Sequence, residues 1–448
     1  MLFGQIPFLP LVDSAELRED LVTALARIVP LVVPTSLAST VVPRLPHPVE
    51  YYVLDDSETT VDQAVQYLDQ GAARFVSRNA AFLTRLPATR FILHLDTASP
   101  AASPDVLAAP ELPDNVSGVL LESTDFEESH LAPYRAALNK AAAAASSSSP
   151  DVSKRPIDLF VLASSRSPDQ VLAQPAALKL LSKSVNAASV VPTSLLSTAV
   201  GNLASPHADD DGKLSVATLY TSQLRTDRPD GLFVTVPVSL ASVSTPLGVV
   251  YSSEASVAYS ILTGNATYYS RSRNGLWKKG ETSGAMQRVE RIRYDCDRDA
   301  LEFGVVEAGP NGVKEGFCHV PTQTSCFGGI DGLAELETTL KQRRDEAPAG
   351  SYTKRLFDEP KLLRAKIMEE AGEVCDAETK EDLAGEIADL LYFTMTRAVS
   401  MGVGLKDVQD VLNRRSLKVT RRKGDAKLEW VEKLGLNQEQ AVGVEGQK

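Results

Sequence analysis

Short apolar runs alternate with helical stretches along the first half of the chain. Runs such as Tyr51–Leu54, Gly118–Leu121 and Leu159–Leu162 have the length and composition of buried strands. Between them lie helical patterns, among them residues 61–70, which stop at Gly71, a residue type favoured just after a helix. Because strands alternate with helices, residues 1–226 are predicted to form an α/β region with a parallel sheet.

This first region carries no motif of recognisable chemistry. Asp55 and Asp56 have the composition of a metal site, but charged turns are far more common, and we assign them no role. Two interpretations stay open. We favour a scaffold that stabilises a dimer or positions other domains over a lost or regulatory small-molecule domain. Residues 62–77 have the pattern of a βα unit from a barrel enzyme, which is an analogy of fold alone.

Cysteines and aspartates alternate in a short stretch of the second half. Three of the four cysteines lie within residues 295–326, and three aspartates lie at its start. If residues 295–299 form an extended strand, the three carboxylates point to one side and Cys296 to the other. Thiolates favour zinc, while carboxylates favour magnesium and other hard cations. The pattern therefore predicts two different metals back to back.

The cysteine spacing distinguishes between kinds of site. Cys296, Cys318 and Cys326 include no CxxC pair of the kind a zinc finger needs, and a disulfide framework suits small secreted domains. Three buried cysteines acting as small apolar residues are the alternative. A zinc ion held by three thiolates keeps one position open for water, which is the mark of a catalytic site.

Phosphate-binding side chains crowd residues 270–284. This stretch holds two arginines, two lysines, four hydroxyl side chains and three glycines. Guanidinium groups and backbone amides bind phosphate well, and Trp277 is suited to stacking on a base. A solvated basic loop is the alternative. The stretch therefore indicates a phosphorylated ligand only in combination with other motifs.

From residue 332 the composition becomes helical, and acidic residues recur at helical spacing. Three acids share one helical face and two more follow on a second helix, whose start Thr379 and Asp382 are predicted to cap. A solvated acidic face is the alternative. Part of the set borders an apolar stripe, however, where crowded carboxylates repel one another and lose hydration unless a cation joins them. We therefore expect a magnesium ion to join the two acid sets, which are Glu369, Glu370 and Glu373 on the first helix and Glu386 and Asp389 on the second.

The middle region resembles phosphoribosyl-AMP cyclohydrolase of histidine biosynthesis over about residues 228–330. The segment 311–317 is longer than the compact family pattern. The resemblance implies a mostly β, α+β domain at 227–330 that opens the adenine ring with a zinc-activated water. The matching elements are Tyr269–Arg273, Leu276-Trp277, Lys279–Gly284, Asp295–Asp299, Cys318-His319 and Ser325–Phe327.

The same resemblance implies roles for individual residues. Zn²⁺ is expected on thiolates contributed by two protomers of a homodimer, namely Cys296, Cys318 and Cys326. The implied Mg²⁺ ligands are Asp295, Asp297 and Asp299. His319 is the candidate general base or proton shuttle, or alternatively a helper of zinc geometry. The implied substrate-binding residues are Ser270, Arg271, Arg273, Trp277, Lys279, Glu281, Thr282 and Ser283.

The helical region resembles the all-α nucleotide pyrophosphohydrolases, in particular the phosphoribosyl-ATP pyrophosphohydrolase branch, over about residues 332–425. The pattern EExxE followed by ExxD carries this resemblance, with support from residues 351–353 and 412–415. It implies an all-α domain at 331–430, then a tail at 431–448. The magnesium ligands that this resemblance implies are Glu369, Glu370, Glu373, Glu386 and Asp389, and the first three are the implied catalytic residues. Lys366 and Arg414 are implied to hold phosphates, or else are ordinary surface charges.

Together the resemblances imply two consecutive reactions, the second and third steps of histidine biosynthesis, on phosphoribosyl-ATP and phosphoribosyl-AMP. We expect no histidinol dehydrogenase, a third activity found in some larger relatives. Two alternatives stay open. One is a house-cleaning nucleotide pyrophosphatase with a structural zinc module, and the other is a non-catalytic scaffold that binds phosphorylated metabolites.

Bulk properties fit a metabolic enzyme. A length of 448 residues allows two to four domains. The net charge of −12 gives no general attraction to nucleic acid or anionic membranes. The sequence has no apolar stretch long enough to span a bilayer, and its apolar start lacks a basic leader. We expect a cytoplasmic protein with reduced cysteines, whose partners are small-molecule substrates rather than nucleic acid or membrane.

Overall fold

The computed structural model forms three successive regions: a barrel, an open sheet and a helical bundle. The residues that the structure describes are 6–46, 49–109, 112, 115–145, 156–164, 185–199, 213–241, 244–308, 317–320, 323–329, 331–348 and 350–420. The predicted tail at 431–448 lies outside them. Within them, no helix combines the length and apolarity needed to cross a bilayer.

Eight parallel strands close into a barrel in the first region, where β8 returns to pair with β1. In chain order they are β1 (Phe8–Leu11), β2 (Leu31–Pro34), β3 (Tyr51–Leu54), β4 (Arg74–Ser77), β5 (Phe91–Asp96), β6 (Gly118–Ser123), β7 (Asp158–Ala163) and β8 (Ala188–Pro192). The parallel sheet predicted for this region is present, and its closure leaves no edge strand exposed.

Apolar side chains fill the barrel in two separate clusters. The inner cluster comes from alternate strand positions and includes Leu9, Val32, Tyr52, Ile92, Leu120 and Phe160. The outer cluster joins the opposite strand faces to the surrounding helices. These helices are α1 (Glu19–Ala26), α2 (Thr35–Val41), α3 (Val61–Asp69), α4 (Pro104–Leu107) and α5 (Glu128–Ala145). The barrel is therefore a packed core and not a pore.

A repeated hexapeptide, Val-Val-Pro-Thr-Ser-Leu, ends two of the barrel strands, at residues 32–37 and 190–195. In the first copy, Thr35 and Ser36 both donate to the Asp56 carboxylate, from their hydroxyls and from the Ser36 amide. In the second copy, the hydroxyls of Thr193 and Ser194 and the Ser194 amide donate to Asp13. Each copy thereby ties one strand end to its neighbour.

The second region is a seven-stranded sheet in which β11 and β17 pair in parallel and the other neighbours run antiparallel. The connection from the barrel contains β9 (Leu196–Ser197), β10 (Leu214–Ser215) and α6 (Val216–Thr221). The sheet contains β11 (Phe233–Ser239), β12 (Thr245–Pro246), β13 (Val250–Ser252), β14 (Thr267–Ser270), β15 (Gly275–Lys278), β16 (Met286–Tyr294) and β17 (Ala300–Ala308), with α7 (Glu254–Thr263) between β13 and β14.

The third region is entirely helical where the structure describes it, as predicted. It contains α8 (Gly332–Glu346), α9 (Tyr352–Asp358), α10 (Pro360–Asp376), α11 (Lys380–Ser400) and α12 (Leu405–Ser416). The predicted cap of the helix that became α11 is present, because the Thr379 hydroxyl oxygen accepts from the Asp382 amide at 3.1 Å. Capping satisfies a backbone donor that the first helical turn leaves unpaired.

The barrel contacts both of the other regions. Arg27, which follows α1, donates to the carbonyls of Ile261 and Val289 in the sheet region at 2.8 and 3.1 Å. Asp69, at the end of α3, accepts from the backbone amides of Val419 and Thr420 at 2.7 and 3.1 Å. The barrel therefore has the contacts of a scaffold for the two regions that follow it.

Replacing Asp69 with alanine is expected to release the segment after α12 from the barrel. A hydrogen bond to a charged acceptor at an exposed site contributes about 1 kcal/mol, so amide exchange at Val419 and Thr420 should accelerate about fivefold. Hydrogen exchange read by mass spectrometry measures this. Asp62→Ala, at the exposed start of the same helix, is the control, and equal exchange in both variants would contradict the docking contact.

Candidate metal and substrate sites

Three aspartates lie in the tight turn between β16 and β17. The Asp295 carboxylate accepts from the amides of Arg298, Asp299 and Ala300 at 2.9, 3.1 and 3.2 Å. Arg298 adopts a φ of 72°, in the left-handed region. The prediction that 295–299 is an extended strand was wrong, because two antiparallel strands must reverse direction here and the carboxylate closes the turn.

The turn nevertheless gathers its carboxylates. Asp295, Asp297 and Asp299 each offer an oxygen within 4.8 Å of the others. Desolvation and the charges of its two neighbours raise the pKa of Asp299 above its usual range. Crowded carboxylates of this kind repel one another, and a hard divalent cation would relieve that repulsion. The donor set fits magnesium.

Residues outside the turn hold it in place. The Arg298 side chain is buried, with its guanidinium 5.3 Å from the centre of the Tyr294 ring. It donates to the side-chain oxygen of Gln223 at 3.2 Å, while the Arg298 carbonyl accepts from the Arg225 amide at 3.0 Å. Gln223 and Arg225 belong to the connection after the barrel. Sequence reasoning missed them, since the contact joins residues 75 positions apart.

Two of the three predicted zinc ligands meet. The thiols of Cys318 and Cys326 are close enough to interact, and burial together with the Cys318 thiol raises the pKa of Cys326. The Lys279 ammonium acts on the Cys326 thiol in the opposite direction, lowering its pKa. Two adjacent thiols beside a cation fit half of a thiolate metal site.

Cys296 does not join them. Among the described residues, groups of three or more metal-binding side chains with ligand atoms within 4.8 Å are the aspartate trio and a glutamate trio, and neither includes a cysteine. Cys296 instead lines a cavity of about 390 Å³ with barrel residues such as Arg135 and Asp158. The β16–β17 turn carries Cys296 toward the barrel, away from the two thiols that meet in the same chain.

The predicted phosphate-binding stretch forms the β14–β15 hairpin and the loop after it. Ser270 ends β14, and its hydroxyl accepts from the Arg273 amide at 3.3 Å in the turn. Arg271 lies 4.0 Å from the centre of the Tyr251 ring. Trp277 is half-buried in β15 beside Tyr268. The other predicted binders occupy the loop and are mostly exposed, namely Glu281, Thr282 and Ser283.

Lys279 connects this loop to the thiol pair. Its side chain is buried and its ammonium lies 5.2 Å from the centre of the Phe317 ring, next to Cys318 in sequence. The following residue, Gly280, has a φ of 83°, and a Cβ there would lie 2.4 Å from the Ala285 backbone. Only glycine fits this position, so the turn that places Lys279 depends on it. His319 is exposed on the other side of Cys318.

The helical region gathers a second carboxylate set. Glu370, Glu373 and Glu386 each offer an oxygen within 4.8 Å of the others, two from α10 and one from α11. Desolvation and the charges of Glu370 and Glu386 raise the pKa of Glu373. Glu370 is 4% exposed, and the Lys366 ammonium lies 2.8 Å from its carboxylate. This arrangement fits a divalent cation, with Lys366 orienting one ligand.

The remaining predicted residues lie beside this trio rather than in it. Glu369 is exposed and forms an ion pair with Lys366 at 3.0 Å. Asp389 lies one turn beyond Glu386 on α11 and is exposed. Arg414 is exposed in the last turn of α12. The trio therefore contains three of the five predicted magnesium ligands and leaves out Glu369 and Asp389.

The fold and sites define a multidomain protein with one crowded carboxylate cluster in its sheet region and another in its helical region. Comparison with known proteins agrees with that division. The family model described as phosphoribosyl-AMP cyclohydrolase matches residues 248–328, and that described as phosphoribosyl-ATP pyrophosphohydrolase matches residues 333–416.

Similar proteins cover different shares of the chain. The histidine biosynthesis bifunctional protein HisIE of Bacillus subtilis is 39% identical over 194 residues, which are 42% of this chain and 92% of that protein. The bifunctional protein his7 of Schizosaccharomyces pombe is 51% identical over 56% of this chain and 57% of its own length. The trifunctional protein of Candida albicans is 33% identical over 95% of this chain and 46% of its own length.

The chain belongs to the family of histidine biosynthesis proteins that join a phosphoribosyl-AMP cyclohydrolase domain to a phosphoribosyl-ATP pyrophosphohydrolase domain. It spans about half the length of the two fungal relatives described above. The match to the Candida albicans protein extends across the barrel as well.

Proposed function

We propose that this protein is a bifunctional, cytoplasmic hydrolase of histidine biosynthesis. The helical domain releases pyrophosphate from phosphoribosyl-ATP, and the sheet domain then opens the adenine ring of the phosphoribosyl-AMP formed. One observation carries the proposal: each of the two matched domains presents its own crowded carboxylate trio. Two separate clusters support two separate, metal-dependent reactions.

In the sheet domain, Cys318 and Cys326 would hold zinc with Cys296 of a second copy of the chain. Zinc bound there would supply a hydroxide near neutral pH for attack on the ring. Asp295, Asp297 and Asp299 would hold magnesium near the substrate phosphates. Exposure of His319 beside Cys318 makes it our candidate for accepting the proton of the attacking water.

The loop residues of the sheet domain would bind the substrate. Arg271 and Arg273 are exposed in the hairpin turn and would contact phosphate. Ser270, Glu281, Thr282 and Ser283 would add hydrogen bonds around them. Trp277 would stack on a base, and the positive charge of Lys279 would favour the thiolate form of Cys326.

In the helical domain, Glu370, Glu373 and Glu386 would hold magnesium, and Glu369 and Asp389 would extend the set when substrate is bound. Magnesium bound there would neutralise charge on the departing pyrophosphate. Lys366 keeps the Glu370 carboxylate in place through the 2.8 Å ion pair. Arg414 would hold a phosphate oxygen.

A homodimer is supported by exposed apolar side chains on the helical domain. Met368 is 51% exposed, Ile387 41% and Leu412 56%. They lie on α10, α11 and α12, the helices that also carry the proposed site residues. Apolar side chains clustered on helices favour contact with another protein surface. A second copy of the chain would cover them and would also supply the third thiolate in the sheet domain.

The experiment supplies phosphoribosyl-ATP to the full chain with Zn²⁺ and Mg²⁺ and follows pyrophosphate and the ring-opened product together. Both products are expected, pyrophosphate first. A house-cleaning pyrophosphatase would release pyrophosphate without opening the ring of supplied phosphoribosyl-AMP. A metabolite-binding scaffold would form neither product.

Replacing Gln223 with alanine is expected to slow ring opening about tenfold, because it removes one of the contacts that position Arg298 and with it the aspartate turn. The Mg²⁺ concentration for half-maximal ring opening should rise, which simple loss of folded protein would not cause. Steady-state kinetics across a Mg²⁺ series measures both. Gln70→Ala, exposed at the end of α3, is the control. Unchanged Mg²⁺ dependence would remove Gln223 from this role.

A further inference from the structure

The carboxyl ends of the barrel strands surround a cavity of about 850 Å³ that neither matched domain includes. Its apolar wall comes from Leu11, Leu54 and Leu162, at the ends of β1, β3 and β7. Its polar side chains lie in the loop after β3, and on or just after β4, β5 and β6. In closed parallel barrels this end of the strands is where ligands bind.

Three of these side chains form one network. The Glu122 carboxylate accepts from the Arg78 guanidinium and lies 3.2 Å from the His94 imidazole. The Arg78 Nε faces the other ring nitrogen of His94 at 3.5 Å. Burial and the Arg78 charge lower the pKa of His94 to about 4, so its ring is neutral near pH 7 and fixes the other two groups.

The network leaves a guanidinium nitrogen and a carboxylate oxygen for a ligand. Among the described residues, Arg78 Nη1 and Glu122 Oε1 have no hydrogen-bond partner, although both residues line the cavity. The Arg78 side chain is 55% exposed and the Glu122 side chain 21%. A guanidinium and a carboxylate side by side complement a ligand that carries both charges.

A phosphorylated sugar does not fit this end of the barrel. Barrel enzymes often bind phosphate at the loops after strands 7 and 8. Here the Ser194 amide and the hydroxyls of Thr193 and Ser194, just after β8, are occupied by the Asp13 carboxylate. The cavity lining also holds four acidic residues, Asp55, Asp56, Glu58 and Glu122, against one guanidinium. A dianion would meet repulsion there.

We propose that the barrel binds a free α-amino acid at this end, with its carboxylate on Arg78, its ammonium on Glu122 and its side chain against the leucine wall. The inference concerns residues outside both matched domains and is independent of the proposed hydrolase activities. It gives the first region a ligand-binding role in addition to its scaffold contacts.

The test uses the full chain and the twenty common amino acids as probes, first by thermal shift and then by calorimetry on any that bind. Arg78→Gln should weaken the bound amino acid at least tenfold while leaving the matching amine, which lacks the carboxylate, unchanged. Glu122→Gln should weaken it similarly while leaving the matching acid, which lacks the amino group, unchanged. Arg85→Gln and Glu127→Gln, exposed neighbours outside the cavity lining, should bind as the parent does.

Several outcomes would overturn the proposal: no amino acid binds, or binding survives both variants, or ribose 5-phosphate binds in an Arg78-dependent manner instead. If Arg78→Gln does not fold, Arg78→Lys replaces it as the test, because lysine keeps the positive charge but cannot bind a carboxylate through two parallel hydrogen bonds. Unchanged affinity for the amino acid in Arg78→Lys would contradict the proposed contact between Arg78 and the carboxylate. Both hydrolase activities should be unaffected by these variants, so failure here is distinguishable from failure of the proposed function.

Discussion

Replacing Cys318 with alanine is expected to reduce the rate of ring opening of phosphoribosyl-AMP by at least about a hundredfold. Removal of a residue that only orients a metal ligand typically lowers activity by about 10–100-fold, and loss of the ligand itself should cost no less. Cys318 is one of only two thiols that meet within one chain, so its loss leaves Cys326 alone. Release of pyrophosphate from phosphoribosyl-ATP should continue at the parental rate, since the glutamate trio lies in another domain.

Parallel assays of the two products measure this split, and zinc content of the purified protein gives a reading independent of activity. Cys375→Ala is the matched control, because Cys375 is exposed on α10, outside both carboxylate trios and the thiol pair. The variant should lose zinc as well as ring opening. Zinc retained in Cys318→Ala would rule out Cys318 as a zinc ligand. Loss of both reactions in a folded Cys318→Ala protein would rule out independent sites.

Local signals in the sequence predicted local structure well. The Thr379 cap of α11 and the helix that stops before Gly71 are both present, the latter as α3 with a φ of 114° at Gly71. Each depends on contacts within a few residues, which the sequence displays directly. The same holds for the glutamate trio, because helical spacing placed Glu370 and Glu373 on one face.

Long-range geometry was harder to predict. Closure of the barrel depends on β8 pairing with β1, whose segments lie about 180 residues apart. The alternation at residues 295–299 predicts a strand where the structure has a turn, because alternation also occurs in a turn closed by its own side chain. No local sequence pattern around Gln223 predicts its contact with Arg298. One missed signal was available: the repeated Val-Val-Pro-Thr-Ser-Leu marks two equivalent strand ends.

The separation of Cys296 from the other two thiols connects the proposed zinc site with the proposed dimer. Within one chain the β16–β17 turn directs Cys296 toward the barrel. The Cys326 amide, in contrast, donates to the Leu247 carbonyl at 2.8 Å, directly after β12. A third thiolate must then come from another chain if zinc is to have three. The proposed dimer is in that sense a requirement of the zinc chemistry rather than an addition to it.

Glu370→Gln is expected to lower pyrophosphate release from phosphoribosyl-ATP by at least about a hundredfold while ring opening of supplied phosphoribosyl-AMP persists. The substitution keeps the shape of the side chain and removes the charge that both magnesium and Lys366 need. The Mg²⁺ concentration for half-maximal rate should rise, since two carboxylates of the trio remain. Kinetics over a Mg²⁺ series with each substrate measures this.

Glu381→Gln is the matched control for Glu370→Gln, because Glu381 is an exposed acid in the first turn of α11, outside the trio. It should leave both reactions and their Mg²⁺ dependence unchanged. The reason for the contrast is burial: Glu370 is 4% exposed, so a charge there needs a cation beside it, whereas water solvates Glu381. Equal losses in the two variants, or an unaltered Mg²⁺ requirement in Glu370→Gln, would show that the glutamate trio does not hold the metal.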